Sequence, residues 1–81
     1  MSTYTRRIGY QYTSATAEQS AETGLLFTLT STLRGHVWRV DVNQWAKHAY
    51  YRDGQPAPLP TYAMGLFEAA ERLFHSARKP G

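Results

Sequence analysis

Hydrophobic and polar positions alternate with period two along the first half of this chain and recur with helical spacing along the second. In residues 4–12, Tyr4, Arg6, Ile8, Tyr10 and Tyr12 share one side, while Thr5, Arg7, Gly9 and Gln11 share the other. Such alternation among β-formers predicts a strand with its Ile/Tyr side inward. Leu25, Phe27, Leu29 and Leu33 then alternate with a Thr-rich set, and Trp38, Val40 and Val42 alternate with Val37, Arg39 and Asp41. Arg34-Gly35 lies between the two runs, where glycine can supply the positive φ of a tight turn. The expectation is a hairpin over 25–34 and 36–42, completing a three-stranded antiparallel sheet with the first strand.

The intervening stretch 13–24 is small and polar. Thr16 and Gln19 have capping-box spacing and Gly24 could stop a short helix. The segment offers no large apolar anchor, so a loop with one helical turn is expected. Helical spacing dominates afterwards. Asn43 or Asp41 can cap a helix over Gln44–Arg52, ended by Asp53-Gly54, with Trp45, Ala46, Ala49 and Tyr50 inward. The prolines at 56, 58 and 60 exclude regular helix. A second helix is expected over 61–78, on a stripe of Tyr62, Leu66, Ala69, Ala70, Leu73, Phe74 and Ala77 reinforced by Ala63 and Phe67. The predicted fold class is α+β, β-β-β followed by two helices packed on the apolar face of the sheet.

Composition bounds the function more than it names it. At 81 residues the chain is read as one domain over 1–81, of a size that buries about 60% of its unfolded surface. It has no cysteine, and a 42% hydrophobic content is sufficient for a core without disulfides. Net charge is +3, far from the dense basic tracts of an obligate nucleic-acid binder. The start of the chain, Met1 to Arg7, leads into no signal-type apolar run, and no stretch reaches the length of a membrane span. A cytoplasmic protein without membrane attachment is the expectation.

Chemistry is sparse. His36, His48 and His75 fall in a turn and on two separate predicted helices, with no i,i+4 pair for a metal. Asp41, Asp53, Glu68 and Glu71 form no evident acid/base pair, no serine has a nucleophile-elbow context, and the glycines are scattered. No catalytic residue, metal or cofactor is predicted, and the chain is read as a non-enzyme.

What stands out is a set of interface-type residues: eight Tyr and Trp, with seven Arg against two Lys. Tyr4, Ile8, Tyr10, Tyr12, Trp38, Trp45, Tyr62, Phe67 and Phe74 are absorbed by the inward faces. Arg7, Arg34 and Arg39 remain on the outer sheet face, with Tyr51 and Arg52 at a helix end, and these five are the predicted partner-binding residues. In size, α+β layout and lack of catalytic equipment, the chain resembles small phage-encoded inhibitors, anti-CRISPR proteins among them. That resemblance rests on general character, with no shared motif. It implies a steric inhibitor that occupies a surface of a host protein complex. The alternative partner is nucleic acid, read by the Thr/Arg-rich sheet face. Monomer and homodimer, the latter through the first strand as an edge, both fit the pattern.

Overall fold

The computed structural model describes residues 9–45 and 47–78. Five antiparallel strands run in sequence order across one sheet: β1 (Gln11–Ser14), β2 (Leu25–Leu33), β3 (His36–Asn43), β4 (His48–Arg52) and β5 (Gln55–Pro56). A short helix α1 (Ala17–Thr23) joins β1 to β2, and a 3-10 turn (Thr61–Ala63) leads into the long helix α2 (Met64–Arg78). The predicted three-stranded sheet with two helices packed on it is therefore corrected to a five-stranded meander covered by one long helix.

The correction centres on the stretch expected as the first helix: Gln44 and Trp45 lie in a turn and His48–Arg52 form β4, while Ala46, expected inward, lies outside the described residues. Asp53 (φ +51) and Gly54 (φ +86) both adopt left-handed backbone, as do Arg34 (φ +52) and Gly35 (φ +80). Two consecutive positive-φ residues make the turn that matches the right-handed twist of a two-residue hairpin. Asp53-Gly54 thus opens a hairpin instead of ending a helix, and the residues before it pair with β3, Tyr50 opposite Val40 and Tyr51 opposite Arg39. The β2–β3 hairpin turns at Arg34-Gly35, where the turn was expected, with Leu33 opposite His36.

Residues 17–23, expected as loop, are helical because their ends are fully capped. The Thr16 hydroxyl accepts from the Gln19 N–H at 3.1 Å, and the Gln19 side chain accepts from the Thr16 N–H at 3.0 Å. Gly24 (φ +80) closes the other end, its N–H donating to Ser20 O. No residue of α1 is buried, so tethers replace a hydrophobic anchor: Ser20 Oγ donates to Leu25 O at 2.6 Å and Ala15 N to Leu26 O at 2.8 Å. The strand expected over 4–12 is seen at Gln11–Ser14; residues 4–8 lie outside the described residues.

The core lies between the sheet and α2. Phe27 and Leu29 from β2 and Trp38, Val40 and Val42 from β3 meet Ala63, Leu66, Ala69, Ala70 and Phe74. Paired alanines on the helix let its backbone approach the large side chains of the sheet. A bulge between Leu25 and Phe27 brings Leu26 against the same cluster. Tyr10 locks the N-terminal side to the helix, its hydroxyl donating to Gly65 O at 2.9 Å. Three aromatics expected inside are exposed: Tyr12, at the sheet edge and stacked on Phe27, Trp45, at 64% exposure in the β3–β4 turn, and Tyr62, in the 3-10 turn before α2.

Candidate interaction surface

Strand alternation sends every second side chain away from α2, and the register aligns these into rows. One row runs Gln11, Thr30, Arg39, Tyr51, Pro56 across all five strands. Beside it lie Thr13, Thr28, Asp41 and Ala49, and on the other side Thr32 opposite Val37. All of these residues are exposed or half-exposed. The result is a broad polar face.

Its centre is ordered by three side chains. The Arg39 guanidinium carbon stands 4.1 Å from the centroid of the Tyr51 ring, and Arg39 Nε lies 3.0 Å from Asp41 Oδ1. The ring spreads beneath the cation and the carboxylate fixes one edge of the fork, so the outer guanidinium N–H donors are directed without further ordering cost. Burial raises the Asp41 carboxyl above its ordinary range, against the lowering effect of the neighbouring Arg39 charge.

Of the predicted binding residues, the structure brings Arg39 and Tyr51 together. Arg34 sits in the β2–β3 turn and stacks on Tyr62, 4.3 Å from the ring centroid; Tyr62 in turn meets Trp38 edge-on. Arg52 is opposite Trp38 and so belongs to the helix side of the sheet. Arg7 lies outside the described residues. Tyr51 is on a strand, not at the helix end where it was expected.

Trp45, expected in the core, is the most exposed of the misplaced aromatics. The turn that carries it is held from several sides: Asn43 Oδ1 accepts from the N–H groups of Trp45 and Lys47, each at 3.0 Å, and Gln44 N–H donates to Gly24 O at 2.8 Å. Its ring lies so close to Gly24 that a Cβ there would come within 2.4 Å of it. An Asn before a turn and a positive-φ glycine were the available signals. Beside this turn an open groove of about 370 Å³ runs along the end of the outer face, with Thr23, Leu25, Asp41, Lys47 and Ala49 in its walls.

The histidines are also more connected than their spacing suggested. His36 Nδ1 lies 2.6 Å from Asp53 Oδ2, while Asp53 Oδ1 accepts from Val37 N–H at 2.9 Å, so the two hairpin turns are tied together. On the helix side, His48 Nε2 and His75 Nε2 approach the two oxygens of Glu71 at 3.4 and 3.5 Å. Among the described residues no group of three or more His, Asp or Glu has the arrangement of a metal site. No described helix is long and apolar enough to cross a membrane. Comparison of the chain with protein-family models, curated proteins and solved structures gives no significant match.

Proposed function

We propose that this chain is a cytoplasmic, non-enzymatic binding module that docks on a protein through the outer face of its sheet and obstructs a macromolecular complex sterically. Phage-encoded inhibitors of the anti-CRISPR kind act in this general way. The observation that carries the reading is the Arg39–Tyr51 pair at the centre of a five-stranded face whose described residues are exposed or half-exposed. Arg and Tyr are the residue types that dominate interface energetics, and holding them in place before binding lowers the entropy cost of association.

The same centre favours protein over nucleic acid. Asp41 stands within 3.0 Å of Arg39 and offsets its charge. Among the described residues, Arg34 and Arg52 lie away from this face, so its described part carries little of the concentrated positive charge that phosphate binding exploits. The test is affinity capture from the host cell with the native chain and with an Arg39→Ala/Tyr51→Ala double variant. A protein retained by the first and lost by the second supports the proposal. Equal retention by both would sink it, and a salt-sensitive mobility shift with duplex DNA that also depends on Arg39 would replace it with the nucleic-acid reading.

A further inference from the structure

Trp45 and the groove beside it form an adjacent knob and socket. The indole is 64% exposed, with the Trp45 backbone N–H donating to Asn43 Oδ1 and the ring lying against Gly24. The groove is close at hand because its walls come from the same segments: Asn43 and Lys47 flank Trp45 in the turn, and Thr23 and Leu25 flank the glycine beneath its ring. At about 370 Å³ it is wide enough to accept an aromatic side chain.

We propose that these features make a self-association site, in which the Trp45 of each copy enters the groove of the other across a twofold axis. A knob and socket far apart on one molecule would propagate into a chain of subunits, whereas a knob beside its socket allows both contacts to close in one symmetric pair. The chemistry of the groove suits a second copy. Its half-buried Asp41 carboxylate offers an acceptor for an incoming indole N–H, the donor that Trp45 carries. The groove also carries both signs, Asp41 and Lys47, so a twofold axis between them sets each carboxylate against the other copy's ammonium. This goes beyond the docking function and uses the end of the outer face, leaving the Arg39–Tyr51 row in place.

Two indoles, each already partly covered, and two shallow sockets bury roughly 500 Å² in all, well below the ~1,600 Å² of a standard interface. The dimer is therefore of the weak, transient class, dissociating in the micromolar range or above. Sedimentation velocity of the full chain from about 10 µM to 1 mM spans that range, read alongside tryptophan emission. The expected result is a concentration-dependent dimer with a blue shift from Trp45, since Trp38 is already buried at 3% exposure. Trp45→Ala and Ala49→Arg, the second filling the socket from an exposed strand position, should each weaken the dimer by at least about tenfold. Thermal melts establish that the variants fold, and Ala49→Arg decides the matter if Trp45→Ala does not. A monomer throughout the range overturns the proposal, as does a dimer indifferent to both substitutions. Neither result touches docking through Arg39 and Tyr51, which is read by host-partner capture.

Discussion

Arg39 on β3 and Tyr51 on β4 face each other across the sheet with the guanidinium carbon 4.1 Å from the ring centroid. Both are half-exposed, so their contact adds little to folding. Truncating Arg39 to Ala should lower stability by only about 1 kcal/mol, the size of an exposed cation–π contact. Docking should fall by about tenfold or more, as for an interface anchor. Arg39→Lys should restore it poorly, because an ammonium lacks the planar fork. Denaturant melts beside partner-binding titrations separate the two effects.

Gly24 and Trp45 are coupled through backbone conformation and space. Alanine at 24 meets a left-handed φ of +80 and an indole carbon at 2.4 Å. Gly24→Ala should cost about 1–2 kcal/mol for the backbone alone, and should lift Trp45 off its seat. Chemical denaturation measures the first and acrylamide quenching of Trp45 the second. Unchanged quenching would show that the glycine does not position the ring.

How much of this was legible varies by element. The β2–β3 hairpin was readable because alternation and an Arg34-Gly35 turn agreed, and the second helix because its apolar stripe is long. Residues 44–52 were not, since Trp45 and Ala49 sit four apart and satisfy a helix pattern. The same stretch also alternates His48 and Tyr50 inward with Ala49 and Tyr51 outward. Asp53-Gly54 fits a helix stop and a hairpin turn equally, and only pairing with β3 decides between them. On the candidate surface, Arg39 and Tyr51 were both named, but a strand was needed to make them neighbours. Trp45 was assigned to the core because an inward indole is the common outcome when burial is inferred from periodicity.

Two aspartates should make opposite contributions to the pH dependence of stability. Asp53 is held below its ordinary value of 3.8 by the Val37 N–H and then by His36. Its stabilisation is therefore present above pH 3.8 and lost as pH falls below that toward its folded value. Asp41 is raised above 3.8, chiefly by burial. Its ionisation opposes folding at neutral pH, and that penalty is relieved as pH falls through its folded value. In melts across acidic pH, Asp53→Asn should remove a loss of stability on acidification and Asp41→Asn should remove a gain. Identical profiles for both variants would contradict these assignments.

The fold itself hinges on α2 seating on the sheet. Leu66 is fully buried among the β2 and β3 side chains. Leu66→Ala should cost about 2–5 kcal/mol, a large share of the roughly 4–12 kcal/mol expected for a chain of this length. The variant should be partly unfolded at 37 °C by circular dichroism, in contrast to the outer-face variants.

The most direct test of docking through the outer face is side-chain footprinting of the chain, free and in the complex captured from its host. Tyr51 and Arg39 should lose reactivity in the complex, while Tyr62 and Arg34, on the far side of the sheet, should keep theirs. Protection of Tyr62 and Arg34 with Tyr51 left reactive would place the partner on the helix side and contradict the proposed mode of action.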